Sequence, residues 1–120
     1  MTSGATATSC IFCEIAAGRI PARVVHEEAE LVAFHDLNQQ APIHVLLIPR
    51  RHLASVAELG SADEALAGRL LVAAGTVARK LGVEESGYRL VTNTGDDGGQ
   101  TVPHLHFHLL GGRAFTWPPG

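Results

Sequence analysis

The segment Gly98-Gly-Gln-Thr-Val-Pro-His-Leu-His-Phe-His-Leu-Leu110 carries the strongest structural signal in the chain. Between His104 and Leu110 polar and apolar side chains alternate, which is the period of a β-strand with one buried face. We therefore predict a strand over His104–Leu110, with Leu105, Phe107 and Leu109 in the core and the three histidines together on the opposite face. The glycines that precede this strand predict an irregular loop.

Six further segments complete an α+β pattern around this strand. Ile11–Ala17 predicts a short helix ended by Gly18, and Ser61-Ala-Asp-Glu64 is a capping-box sequence that opens a long helix ended by Gly82. Aliphatic and β-branched runs predict the other strands over Arg23–His26, Leu31–His35, His44–Ile48 and Tyr88–Asn93. The 120 residues have the size of one domain, which we place at residues 10–120 after a flexible tail over residues 1–9.

The long helix carries two apolar stripes rather than one. The first contains Leu66, Leu70, Ala73, Val77 and Leu81, and the second contains Ala67, Leu71, Ala74 and Ala78. One stripe packs on the sheet, so the other needs a second cover. In so short a chain the same helix of a second copy is an economical cover, and we predict a homodimer.

Composition and charge exclude several classes of function. The 9 basic and 12 acidic residues give a formal net charge of −3, which provides no basic surface for nucleic acid or anionic lipid. No apolar run approaches the ~18 to 20 residues that span a bilayer, and the N-terminus does not resemble a secretory signal. We expect a soluble, cytoplasmic protein that binds neither nucleic acid nor membrane.

Three histidines in five positions allow three interpretations. They could form a merely polar sheet face, although other polar residues would serve as well. They could hold a catalytic zinc ion with an open position for water, or a neutral imidazole could attack phosphorus while its neighbours hold its tautomer and protonate the leaving group. The preceding loop favours covalent catalysis, because the N–H groups of Gly98 and Gly99 and the Thr101 hydroxyl suit a phosphate.

The pattern His104-Leu-His106-Phe-His108 resembles the His-x-His-x-His signature of the histidine triad (HIT) family of nucleotide hydrolases and transferases. The ending Trp117-Pro-Pro-Gly120 resembles that of the Hint-type purine nucleoside phosphoramidase branch. The resemblance implies the family's α+β HIT fold, which is a five-stranded antiparallel sheet with one long and one short helix. It also implies a dimer in which two such sheets join into one of ten strands.

By motif position, the resemblance implies two sets of site residues. The catalytic set is His106 as the nucleophile, His44 and His108 around it, and Asn93, Gly99 and Thr101 as contacts of the phosphate and leaving group. The nucleotide-binding set is Asp36 for the ribose hydroxyls, Ile11, Phe12, Ile15, Phe34, His35 and Leu37 around the base, and Trp117 reaching the site of the other subunit. The implied reaction cleaves a P–N or P–O bond at the α-phosphate of a purine nucleotide through a nucleotidyl-histidine intermediate, without a catalytic metal or organic cofactor.

Two other functions stay open at the level of sequence. A dinucleoside polyphosphate hydrolase or phosphorylase would release a nucleotide instead of an amine, and the Trp-Pro-Pro-Gly ending disfavours it. A nucleotide-binding regulatory module would use the dimer to dock a protein partner. The intact set of His44, His106, His108 and Thr101 favours catalysis over this second alternative.

The chain has two cysteines, Cys10 and Cys13, whose Cys-x-x-Cys spacing suits metal ligation or redox chemistry. The redox interpretation needs a strand before the pair, and only a short tail precedes it. His52 and His104 complete a set of two thiolates and two imidazoles, which also matches the positions that bind zinc in some bacterial HIT proteins. We predict a structural zinc ion that ties the N-terminal segment to the histidine strand.

Overall fold

The computed structural model describes residues 10–120, so the tail predicted over residues 1–9 lies outside the described residues. Two helices, α1 (Ile11–Ala16) and α2 (Glu64–Lys80), pack against one sheet. Its strands are β1 (Val24–Glu27), β2 (Leu31–His35), β3 (Ile43–Pro49), β4 (Tyr88–Val91) and β5 (Phe107–Gly111). All neighbours are antiparallel, in the order β1-β2-β3-β5-β4. The predicted α+β fold with five strands, one long helix and one short helix is confirmed.

Alternation along the central strands gives the sheet two buried faces. Val45 and Leu47 of β3 pack with Leu70 and Val77 of α2, in a core that is aliphatic; we call this side the α2 face. Leu46 of β3 packs instead with residues of α1 and β2 in a smaller cluster, on the side that we call the α1 face. The α1 cluster contains Cys10, Phe12, Cys13, Ala16, Val32, Phe34, Leu46 and Ile48.

The start of α2 differs from the prediction. Residues 61–63 form a single 3-10 turn, and the helix proper begins at Glu64. Ser61 does not cap the helix, because the Asp63 carboxylate accepts a hydrogen bond from the Gly60 N–H (2.8 Å) and closes the turn one residue earlier. The end is close to the predicted one, since Gly82 adopts a φ of +75° that favours glycine.

The predicted strand over His104–Leu110 is wrong in its first half. β5 begins at Phe107, because Leu105 N–H donates to the Leu53 carbonyl (2.6 Å) instead of to a sheet neighbour. The three histidines therefore do not stand on one strand. The burial prediction is nevertheless right, since Leu105 and Leu109 are buried and Phe107 packs against the same core.

Smaller differences concern the ends of other elements. β4 ends at Val91, where Thr92 turns away and its hydroxyl donates to the His106 carbonyl (2.8 Å). β1 begins at Val24, one residue late, and α1 ends at Ala16, one residue early. Within residues 10–120, no helix has the length and apolar character that crossing a bilayer requires.

Candidate active site and metal centre

A cleft of about 530 Å³ opens on the α1 face, which is the size of a site for one small ligand. Eleven of the residues predicted for catalysis or nucleotide binding line it: Ile11, Phe12, Ile15, Phe34, His35, Asp36, Leu37, His44, Thr101, His106 and His108. Eight lining residues were not predicted as site residues: Ile20, Pro21, Ala22, Arg23, Asn38, Gln40, Leu46 and Val102. The alternation of β3 pointed to one of them, because Leu46 shares the face of His44.

Three predicted residues do not line the cleft. Asn93 follows the end of β4, and Trp117 lies near the C-terminus with 82% of its surface exposed. The N–H of Gly99 donates to the Asp96 carbonyl (3.0 Å), so in this conformation it closes a turn of its own loop instead of facing a phosphate. The roles assigned to these three residues remain predictions.

The glycine-rich loop before the triad is held by its own contacts. Gln100 Nε2 donates to the Ala54 carbonyl (2.6 Å), and Gln100 Oε1 accepts from the Gly95 N–H (3.1 Å). Gly98 packs so closely on Thr94 that an added Cβ would lie 2.3 Å from its carbonyl oxygen. The loop therefore requires glycine at position 98 for close packing and not for an unusual φ, and it delivers Thr101 to the cleft.

A backbone contact determines the tautomer of His106. Its Nδ1 lies 2.6 Å from the carbonyl oxygen of His104. Because a carbonyl oxygen only accepts, the proton of the neutral ring is on Nδ1 and Nε2 keeps its lone pair. Phe12 packs edge-to-face on this ring at 5.1 Å between centroids, and the residue is 5% exposed. These contacts fix the orientation of the His106 ring, and in the neutral form of this tautomer Nε2 has the lone pair that a nucleophile requires.

Two other cleft histidines, His44 and His108, form a hydrogen-bonded pair. The Gln40 N–H donates to His44 Nδ1 (3.1 Å), which places the proton of the neutral His44 ring on Nε2. His44 Nε2 then donates to His108 Nδ1 (2.9 Å), so the proton of His108 is on Nε2. The direction of the chain Gln40 to His44 to His108 follows from a backbone donor that sequence patterns did not reveal.

Burial keeps this pair neutral. It lowers the pKa of His108 to about 4 from an ordinary 6.5, with the neighbouring His106 and His44 adding to the effect. Burial also lowers the pKa of His44, although the Asp36 carboxylate, 3.4 Å away, opposes this. Two neutral imidazoles beside the nucleophile leave its surroundings free of added positive charge near neutral pH.

The mouth of the cleft is apolar and ends at a carboxylate. Phe12 and Phe34 pack edge-to-face at 5.7 Å inside it, whereas Leu37 is 95% exposed at its edge. Asp36 Oδ1 accepts from the Asn38 N–H (2.8 Å), which orients the carboxylate. An apolar slot with one fixed acceptor suits a flat ring system attached to a group with hydroxyls.

A second group of side chains meets at the N-terminus of α1. The ligand atoms of Cys10, Cys13, His52 and His104 all lie within 4.8 Å of one another. His104 Nδ1 is 3.3 Å from Cys10 Sγ and 3.5 Å from Cys13 Sγ, and His52 Nδ1 is 3.2 Å from Cys13 Sγ. A tetrahedral zinc ion would separate neighbouring sulfur and nitrogen ligands by about 3.5 Å, so the predicted four-ligand set is brought together.

The chemistry of these donors fits a zinc ion. His104 Nε2 donates to the Pro49 carbonyl (2.9 Å), which leaves the Nδ1 lone pair for a metal, and such a carbonyl contact is usual for metal-bound histidines. Burial, with Cys10 adding to it, raises the pKa of the Cys13 thiol to about 12. A cation would displace that proton and neutralise a buried group that is otherwise costly to ionise.

The positions of the two centres decide between the interpretations of the three histidines in the His-x-His-x-His pattern. His104 turns toward the cysteines while His106 and His108 line the cleft, so the three do not converge on one catalytic zinc ion. Asp36, His44 and His108 also lie close enough to hold an ion. His44 Nε2 carries the ring proton, however, and therefore has no lone pair for a metal.

The fold and the cleft define a class: an α+β domain whose sheet carries a histidine site and a Cys2His2 centre on one face. A family model described as the HIT domain matches residues 17–115. The chain belongs to the HIT domain family, as the pattern of histidines predicted.

Relatives support this assignment over nearly the whole chain. An uncharacterised HIT-like protein of Synechocystis is 49% identical over 95% of this chain and 99% of its own. The crystal structure of a HIT family hydrolase from Legionella pneumophila has a TM-score of 0.90 and 49% identity, covering 92% of this chain and 99% of that one. A histidine triad nucleotide-binding protein from Candida albicans has a TM-score of 0.78 and 32% identity, covering 91% and 82%.

Proposed function

We propose that the protein is a nucleotide hydrolase that cleaves the P–N or P–O bond at the α-phosphate of purine nucleoside phosphoramidates or related nucleotides, as the Hint-type branch does. The observation that carries the proposal is the 2.6 Å contact of His106 Nδ1 with the His104 carbonyl, which leaves the Nε2 lone pair of the neutral ring available in a cleft with an apolar slot and Asp36. The similarity to proteins named as a hydrolase and as a nucleotide-binding protein is consistent with it.

The reaction has two steps with one covalent intermediate. His106 Nε2 attacks the α-phosphorus, and the P–N bond breaks with its electron pair leaving on the amine. The amine takes up one proton from solvent, relayed by the Nε2–H of His108, whose orientation His44 fixes. Water then attacks phosphorus, the P–Nε2 electrons return to His106, and water returns one proton to solvent through the same His108 nitrogen. The nucleoside monophosphate is released with its base leaving the apolar slot.

Intact-protein mass spectrometry tests the covalent step. The protein is mixed with adenosine phosphoramidate and quenched in acid, beside a His106→Asn variant whose side chain has a similar shape but is a poor nucleophile. We expect an AMP-sized adduct on the native chain alone. The absence of both an adduct and substrate consumption would refute the hydrolase and favour the nucleotide-binding module.

We propose a structural zinc ion at Cys10, Cys13, His52 and His104, where it would tie α1 to the segment before β5. A closed set of four ligands leaves no position for water activation, so the ion supplies stability and no step of the reaction. Metal analysis of the purified protein should give about one zinc per chain. Unchanged zinc content in Cys10→Ser would refute this site.

We propose that two copies pair through α2 and β4 to join their sheets. Leu71 and Val72 on α2 are 53% and 55% exposed, and Tyr88 on the edge strand β4 is 39% exposed, although all three are large and apolar. In such a dimer the C-terminal tail carries Trp117 toward the site of the other subunit. Sedimentation at micromolar concentration should give twice 12.7 kDa, and Leu71→Asp should give the monomer; a native species of 12.7 kDa would refute the dimer.

A further inference from the structure

His104 belongs to both centres on the α1 face. Its ring points to the thiols, with Nδ1 3.3 Å from Cys10 Sγ, while its own carbonyl accepts from His106 Nδ1 at 2.6 Å. The residue is fully buried, and its Nε2 donates to the Pro49 carbonyl. One residue thus offers a ligand atom to the metal centre and orients the proposed nucleophile.

Phe12 is a second contact between the two centres. It lies in α1 between the cysteines, and its ring packs edge-to-face on His104 at 5.9 Å and on His106 at 5.1 Å. Because buried side chains are closely packed, a shift of the cysteines moves Phe12 against both imidazoles.

The peptide that carries this coupling is not held by the sheet. Residues 101–106 lie outside β5. Hydrogen bonds from Leu105 N–H to Leu53, from Gln100 Nε2 to the Val102 carbonyl and from the Thr92 hydroxyl to the His106 carbonyl tie this segment to its neighbours. None of these three bonds involves the His104 carbonyl, so its position depends in part on what holds the His104 side chain. Without a cation, the Pro49 carbonyl still holds the Nε2 side of the His104 ring, but on the Nδ1 side only weak hydrogen bonds to the two thiols remain.

We propose that His104 is a positioning residue: a metal ion on its Nδ1 holds its carbonyl where His106 keeps the Nδ1–H tautomer, an inference that rests on the proposed function and its zinc ion. The metal centre then contributes to the rate through the backbone of one of its ligands, and not through contact with substrate. Loss of the metal releases the carbonyl and allows the His106 ring to turn.

Nitrogen-15 NMR of histidine-labelled protein gives a readout that does not need turnover. The His106 Nδ1–H resonance is assigned by its loss in His106→Asn. We expect it to exchange slowly with solvent in the zinc-loaded protein, to weaken or disappear on chelation, and to return with Zn²⁺ or Co²⁺. The absorption of tetrahedral Co²⁺ on sulfur and nitrogen ligands reports occupancy in the same sample.

Kinetics with adenosine phosphoramidate gives the second readout. Misplacing a reacting group by about 1 Å lowers the rate by up to ~10²-fold, so kcat should fall about 10- to 100-fold on metal removal. KM should stay within about threefold, because Asp36 and most of the slot do not depend on His104. His104→Ala, which keeps the carbonyl but loses the ligand, should show the same fall even with zinc added.

Arg50→Ala is the matched control for loosening of α1. Arg50 Nη1 donates to the Ala16 carbonyl (2.7 Å) and so holds the C-terminal end of this helix, and the other hydrogen bonds of its side chain go to Glu27 and Glu28. The variant should keep its zinc, the His106 resonance and kcat. The same loss in Arg50→Ala, or a resonance and kcat unchanged by chelation of the native protein, would overturn the positioning role.

The proposed function can be refuted independently of the positioning role of His104. A zinc-loaded native protein that consumes no phosphoramidate and forms no adduct refutes the hydrolase. The NMR comparison of loaded and stripped protein still decides whether His104 positions His106, because it observes the tautomer directly. In that case, a His106 resonance that is lost on chelation and returns with metal supports the coupling. A resonance that is the same in loaded and stripped protein refutes the coupling.

Discussion

The two faces of the sheet bury side chains of different kinds. On the α2 face, Leu47, Leu70 and Val77 are 1% exposed or less and belong to an apolar core. On the α1 face, the shorter helix covers a cluster that includes both cysteines and lies against His104 and His106. The imidazoles of His44, His104, His106 and His108 each have a specific hydrogen-bond partner, so apolar packing and chemistry are largely assigned to opposite sides of one sheet.

This separation has a physical cause. Burial of apolar surface stabilises without regard to direction, and a 17-residue helix supplies enough of it on one side. The α1 face can then hold imidazoles and thiols, which add little apolar burial. Their contacts are directional, and this is what a nucleophile and a metal centre require.

The largest expected effect comes from breaking the chemistry of the α1 face alone. His106→Asn should lower kcat by more than about 10³-fold, because no other residue supplies the attacking nitrogen. The free energy of unfolding should change by no more than about 1 kcal/mol. Steady-state kinetics measures the change in kcat, and urea unfolding measures the change in the free energy of unfolding. Substantial residual turnover would place the nucleophile elsewhere.

A substitution on the α2 face should have the opposite effect, lowering stability while leaving the kinetics unchanged. Leu70→Ala removes a side chain that is 1% exposed and should lower the free energy of unfolding by about 2 to 5 kcal/mol. The kcat and KM of the folded protein should stay within about twofold, since Leu70 does not line the cleft. Arg79→Ala on the exposed side of α2 is the control, with a change within about 1 kcal/mol. Large kinetic changes in Leu70→Ala would mean that the faces are coupled.

Lowering the pH should reduce the stability of the protein through the buried histidines of the α1 face. The pKa of His108 lies near 4 when folded and near 6.5 when exposed, so between these values the unfolded chain binds a proton that the folded chain refuses. The stability contribution is complete above pH 6.5 and is lost as pH falls toward 4. In urea unfolding at pH 7, 6 and 5, His108→Asn should show a shallower fall than the native protein. Parallel curves would contradict the neutral His108.

The sequence predicted the α2 face more accurately than the details of the α1 face. In the first predicted stripe Leu81 is partly buried and the other four residues, Leu66, Leu70, Ala73 and Val77, are buried, because helical periodicity reports burial directly. The second stripe is not left wholly for another cover, since Ala74 and Ala78 are buried in the same core while Leu71 is 53% exposed. The predicted Cys2His2 set also comes together, although His104 is 91 residues from Cys13 and 94 residues from Cys10 in the sequence.

Directional backbone contacts account for most of what the sequence could not predict. Period two predicted a strand through His104 and His106, but a hydrogen bond from Leu105 to Leu53 takes this part of the chain off the sheet. Gln40 shows the same limit: its role comes from its backbone N–H on His44, which every residue but proline possesses. No residue type marks such a position.

The smallest expected effect concerns a residue outside both faces. Trp117 is 82% exposed, so Trp117→Ala should change the free energy of unfolding by no more than about 0.5 kcal/mol. If the tail reaches the cleft of the other subunit, KM should rise about two- to fivefold with kcat unchanged, because only binding is lost. The same substitution in the monomeric Leu71→Asp protein should leave KM unaltered. Equal KM values for the native dimer and its Trp117→Ala variant would confine nucleotide recognition to the α1 face of a single chain.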